Sequence, residues 1–381
     1  MPQPPALPCL VIVAYLASLA ACRDSKPPPS EPAACQGAHL LASPDDLAAR
    51  GPWPVGVRTL EVGTVRVEVW YPARPGSEHG EASVRYDPRD SMPTSEAAKI
   101  PDAAAAWLAC DCVRDLPIDT AHGPYPVIVF LHGAASFRFQ SAFLATHWAS
   151  RGFVTIAPDL PGVGLRAILG GEPTAFPLSV PSDVLAAIVQ RPTSTDPFAF
   201  LRPQLGARVA IVGHSLGAML ATTLGDRPEI AVRIALAGTL DRSGPGSRLI
   251  MNGETDSIAP PSRAPDRLAD LPSPARAAIV RRAGHLAFTD LCLLGADRGG
   301  SLAIARAHGV KIPEMIVTLA TDGCRTTDAP FATTAPTIRA LTTGVLEETL
   351  RCDPAKATAI HALGQRGDLE LLEQLTPSGP R

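Results

Sequence analysis

Patterned charge of one sign is missing from this chain. Its 34 Lys and Arg face 37 Asp and Glu, a net charge of −3, and the two signs are interspersed. Without a basic stripe, a nucleic-acid partner is not expected. No CxxC pair occurs, and Cys110-Asp-Cys112 is too small a cluster for a metal centre, so no metal and no cofactor are expected. There is no internal repeat. The apolar run at residues 9–21 is shorter than the ~20 residues of an ordinary transmembrane helix. What is present is ample apolar content, 46% of 381 residues, enough for one large core. Proline is abundant, and much of it sits near the N-terminus and in loops, where it reads as linker and turn chemistry.

The run CLVIVAYLASLAA has the length of a signal-peptide h-region, although no Lys or Arg precedes it. It ends in Leu19-Ala20-Ala21-Cys22, which resembles the lipobox of bacterial lipoproteins. That resemblance implies cleavage before Cys22, lipidation of its thiol and a membrane-anchored protein of the bacterial cell envelope. An ordinary secretory signal, with a periplasmic or secreted product, is the alternative. The expected organisation is a signal peptide at 1–21, a Pro-rich tether at 22–50, a catalytic domain at 51–353 and a C-terminal helix or tail at 354–381. Beyond Cys22, Cys35, Cys110, Cys112, Cys292, Cys324 and Cys352 remain, an even number that permits disulfides in an exported protein. Cys292 and Cys324 flank one segment and are the first pair expected. Cys110 and Cys112 are expected in loop disulfides.

Val57–Val62 and Thr64–Tyr71 read as a hairpin turning at Gly63. Residues 72–125 read as an irregular insertion, with a short helix near Ala103–Ala109. Beyond them, short apolar runs alternate with helical patterns. Strands are expected at Pro126–Leu131, Phe153–Ala157, Ala207–Val212, Ile230–Ala237, Arg248–Met251 and, last, Ala275–Arg281. Helices are expected at Ser141–Arg151, Ser182–Gln190, Leu216–Leu224 and 335–351. This alternation predicts an α/β fold, a mostly parallel sheet with helices on both faces.

Gly213-His214-Ser215-Leu216-Gly217 lies between an apolar strand and a helix, the context of a nucleophile elbow. The turn is tight, so the residues two away from the serine must be small. Ser215 is therefore the candidate nucleophile. A base is expected late in the chain and an acid between the two. His285, in Ala283-Gly284-His285 after a strand, fits the base; His308 and His361 lie in helix-like stretches. Asp256, just beyond a strand, is the candidate acid, with Glu254 and Asp241 as rivals. The backbone N–H groups of Leu216 and Ala134 are the candidate oxyanion donors. His132, in the His132-Gly133 turn, is expected to organise its loop through hydrogen bonds.

The stretches VIVFLHG, GHSLG, LIMNGETDSIAPP and AGH, with Gly56-Val57-Arg58-Thr59 and Val69-Trp70-Tyr71-Pro72, resemble the α/β-hydrolases. Within these the chain is similar to the platelet-activating-factor acetylhydrolase and bacterial cutinase/polyester-hydrolase group, over roughly residues 56–290. The resemblance implies a Ser215–Asp256–His285 triad, oxyanion amides at Ala134 and Leu216, and metal-free hydrolysis of esters with small or short-chain acyl groups. Polyester hydrolases of the group carry an aromatic residue at the Ala134 position and a Trp at the His214 position. Both are replaced here, which argues against efficient polymer cleavage. A peptidase or lactone hydrolase on the same scaffold, and a lipid-tethered binding protein without activity, are the alternatives. The segments 72–125 and 292–324 are positioned in sequence to cap the site.

Overall fold

The computed structural model describes residues 39–172, 175–190, 195–261 and 264–375. The apolar run at 9–21, Cys22 and Cys35 lie outside the described residues. The strands are β1 (Val55–Val62), β2 (Val65–Pro72), β3 (Ser83–Tyr86), β4 (Leu108–Arg114), β5 (Tyr125–Leu131) and β6 (Val154–Pro158). They continue with β7 (Leu205–His214), β8 (Ile230–Leu236), β9 (Ser247–Gly253), β10 (Ala275–Val280) and β11 (Leu369–Gln374). Among the described residues they form one 11-stranded sheet in the order β11-β10-β9-β8-β7-β5-β6-β2-β1-β4-β3. From β6 across to β10 every neighbouring pair is parallel.

β5 shows why the middle of the sheet is apolar throughout. Its alternate residues Ile128 and Phe130 enter one core, while Val127, Val129 and Leu131 enter the core on the other face. The first core is covered by helices Ala142–Ser150 and Phe331–Leu350, the second by helix Val180–Val189. Outside that block β10–β11, β6–β2, β2–β1 and β4–β3 pair antiparallel, while β1–β4 is parallel. The hairpin β1–β2 turns at Gly63, whose φ of +60° is the left-handed conformation that glycine adopts without penalty.

Four expectations are corrected. The stretch near Ala103–Ala109 is not a helix: a short 3₁₀ turn at Asp102–Ala104 leads into β4. Alanine content suggested a helix, but LACDCVR alternates buried and exposed along its length, and that strand period wins. Cys110 and Cys112 accordingly sit on a strand rather than in a loop, and they are bonded to each other. Ala275–Val280 is not the last strand. β11, whose LELLEQ composition favours helix, pairs antiparallel with β10 instead, and Glu373 receives the Arg276 Nε–H at 2.9 Å. The described part of the C-terminal segment, 354–375, therefore contributes both helix Ala355–Leu363 and a strand of the central sheet.

The tether assigned to 22–50 also ends sooner than expected. The buried Arg151 guanidinium donates to the carbonyls of Pro44 at 3.0 Å, Asp46 at 3.2 Å and Ala49 at 2.9 Å, and its Nε–H to Glu347 at 2.9 Å. A buried cation needs acceptors, and this segment's backbone supplies them. Leu47 is buried in the same core.

Candidate active site

Ser215 stands between β7 and helix Leu216–Thr222, with φ 54° and ψ −116°. A left-handed φ on a non-glycine residue is strained, and it turns the hydroxyl away from the strand. The turn closes because its flanks have no Cβ. One built on Gly217 would lie 2.0 Å from the Leu131 carbonyl oxygen, and one on Gly213 would lie 2.3 Å from the Gly217 backbone. The sequence requirement for small residues on either side of Ser215 is thus a backbone contact.

Ser215 Oγ lies 2.9 Å from His285 Nε2. His285 Nδ1 lies 3.1 Å and 3.0 Å from the two carboxylate oxygens of Asp256. Asp256 Oδ1 also accepts the backbone N–H groups of Ile258 at 2.9 Å and Ala259 at 2.7 Å, so the carboxylate is fixed by its own loop. His285 and Asp256 are buried, while Ser215 is half-buried. The rivals lie elsewhere. Glu254 is exposed and paired with Arg281 at 2.8 Å; Asp241 is exposed and accepts from Ser243. His361 faces Glu373 at 2.8 Å.

The loop after β5 runs beside the serine: a Cβ built on Gly133 would sit 3.4 Å from Ser215 Cβ. The Gly133 N–H donates to Gln140 Oε1 at 3.0 Å and the Ala135 N–H to Val163 O at 2.7 Å. Between them, the Ala134 N–H has no acceptor among the described residues. The Leu216 N–H is the first of its helix and has no intrahelical acceptor. His132 organises this loop as its turn suggested. Its Nε2 accepts the Leu160 N–H at 2.9 Å, so Nδ1 carries the proton and donates to Gly133 O at 2.8 Å. His214 donates from Nε2 to the His285 carbonyl at 3.1 Å. Burial pushes the His214 imidazole down to about 3, so it stays neutral beside His285.

One residue of the site carried no motif. The buried Asp322 accepts the His285 N–H at 2.8 Å through Oδ1 and the Ser257 N–H at 3.0 Å through Oδ2. Ser257 Oγ also donates to it, and the Leu286 N–H donates to the Asp322 carbonyl at 2.8 Å. One carboxylate thus ties the loop of His285 to the loop of Asp256. The only signal in the sequence is its place two residues before Cys324, which is bonded to Cys292 as expected.

The two suspected capping segments meet. Lys99 Nζ donates to Gly309 O at 3.0 Å, and the Lys311 N–H to Glu96 Oε2 at 3.0 Å. Met92 and Ile100 pack with Ile304 and Val310 in one small core. Beneath it lies a cavity of about 150 Å³ whose lining includes Ala134 and Leu286.

The strand order and the elbow define the α/β-hydrolase fold. Residues 128–288 match the family described as "Alpha/beta hydrolase family", and residues 94–160 match "Platelet-activating factor acetylhydrolase, isoform II". Among solved structures the chain is similar to a ferulic acid esterase from Streptomyces cinnamoneus, at TM-score 0.60 and 18% identity, over 88% of this chain and 99% of that one. No curated protein matches it in sequence. The chain is therefore related to the α/β-hydrolase superfamily, and within it to hydrolases in the broad sense.

Proposed function

We propose that this protein is a serine hydrolase that cleaves carboxylic esters through an acyl-enzyme. The observation that carries the reading is the unbroken hydrogen-bonded chain Ser215–His285–Asp256. Ser215 Oγ attacks the ester carbonyl carbon as its proton passes to His285 Nε2. Asp256 holds the imidazole in the tautomer with Nδ1–H and stabilises the imidazolium. The amides of Ala134 and Leu216 donate to the oxyanion. His285 returns the proton to the leaving alcohol oxygen, and water repeats the sequence on the acyl-enzyme. The esterase among its structural neighbours supports an ester over an amide. The buried, neutral His214 next to His285 adds no competing charge.

A fluorophosphonate probe tests the nucleophile directly. The full chain is expected to be labelled once, at Ser215, as located by peptide mass spectrometry. A folded protein that takes no label is a binding scaffold and not a hydrolase.

The same reading places the enzyme in the cell envelope, exported by the segment at 1–21 and lipid-anchored through Cys22, on the strength of the Leu19-Ala20-Ala21-Cys22 motif. Cys22→Ser is expected to move the protein from the membrane pellet to the soluble fraction. Unchanged sedimentation with membranes would point to a different anchor.

A further inference from the structure

We propose that the cavity beside the Ser215–His285 pair is an acyl-binding chamber for a straight aliphatic chain of about six carbons. This deepens the ester-hydrolase reading and rests on it. The chamber reaches the loops that carry the reacting groups: its lining includes Ala134, whose N–H has no acceptor among the described residues, and Leu286, the neighbour of His285. It extends under the two segments added to the sheet core, where Met92 and Ile100 pack with Ile304 and Val310 and all four line it.

Its chemistry selects the occupant. Among its lining residues, Arg89 and Ser301 are the only ones with a polar side chain. The Arg89 guanidinium is already committed to Asp87 at 2.6 Å, Asp102 at 2.8 Å and the Ile100 carbonyl at 2.8 Å. A chain carrying hydroxyl or charged groups would leave them without partners there. Size sets the length. Its volume of about 150 Å³ is that of an apolar cavity that holds a guest the size of benzene, roughly six carbons. An acetyl group would leave most of this surface unused. A feruloyl group, the acyl part suggested by the neighbouring structure's name, is larger than the chamber and brings polar ring substituents into it.

The test is kcat/KM of the full chain on p-nitrophenyl acetate, butyrate, hexanoate, octanoate and dodecanoate, and on methyl ferulate, with Ser215→Ala as the control. Each methylene accommodated is expected to raise kcat/KM by about three- to four-fold. The rise should run from acetate to about hexanoate, then reverse. Ala305→Phe, which places a ring in the chamber from helix Ser301–Ala307, is expected to cut the hexanoate-to-acetate ratio by about ten-fold or more. Leu169→Ala, which removes bulk from the chamber's lining, is expected to move the optimum to longer chains. An optimum at acetate, a ratio unmoved in both variants, or faster turnover of methyl ferulate than of hexanoate would overturn the chamber while leaving a Ser215-dependent esterase standing. Absence of any Ser215-dependent turnover would defeat the ester-hydrolase reading itself.

Discussion

Ser215→Ala is expected to lower kcat on any accepted ester by about 10⁴- to 10⁶-fold, the loss typical when a triad nucleophile is removed. Binding should change far less, because the Ala134 and Leu216 amides and the apolar chamber remain. Stability should not fall. Ser215 Oγ makes one hydrogen bond, to His285, on a half-buried side chain, and the residue carries its φ of 54° as strain. Alanine retains that strain, whereas Ser215→Gly relieves it and is expected to be more stable by about 1 kcal/mol. Thermal unfolding of the three proteins should therefore rank glycine highest, with alanine near the parent. Activity retained above about one per cent in Ser215→Ala would exclude Ser215 as the nucleophile. A glycine variant that melts below the parent would show that the elbow geometry is supported by the serine rather than imposed on it.

The parts legible in the sequence share one property: their constraint is local. The buried strand before Gly213, the glycines on either side of Ser215 and the short run to Asp256 are fixed by backbone sterics and strand period over a few residues. The structure places Ser215, His285 and Asp256 within hydrogen-bond reach of one another. What was missed depends on partners far away in the chain. β11 has a helix-like composition and becomes a strand because β10 offers it an open edge. Residues 44–49 look like linker and dock because Arg151, about a hundred positions away, needs acceptors for a buried charge. The chamber is built by segments around 92–100 and 304–310 that meet only in the fold. No periodicity within either segment announces that meeting. Asp322 is the same case within the site, one carboxylate among many until the backbone of His285 is placed against it.

Asp322→Ala is expected to damage both stability and rate. The carboxylate accepts the buried N–H of His285, the N–H of Ser257 and the Ser257 hydroxyl, and it faces the Arg325 guanidinium at 2.7 Å. Removing it leaves at least two backbone donors without an acceptor, at about 1–3 kcal/mol each. A loss of roughly 2–6 kcal/mol follows for the two donors, and the half-exposed Arg325 adds little to it. The chain does not dissolve the arrangement altogether, because the Cys292–Cys324 bridge, spanning 32 positions, continues to hold the segment close. In the chain-entropy picture a loop of that length is worth about 4 kcal/mol. The folded variant keeps its acyl chamber but no longer fixes the backbone of the base. A shift of His285 by about 1 Å is enough to cost ~10² in rate. The expected signature is a kcat lowered by about two orders of magnitude with KM nearly unchanged, measured below the new melting temperature. Asp322→Asn, which keeps one acceptor oxygen, should fall between the two. Its amide serves either His285 or Ser257 but not both. Equal kcat in parent and alanine variants would show that Asp322 is a structural clamp with no hold on the base. A raised KM at constant kcat would move its role to substrate binding.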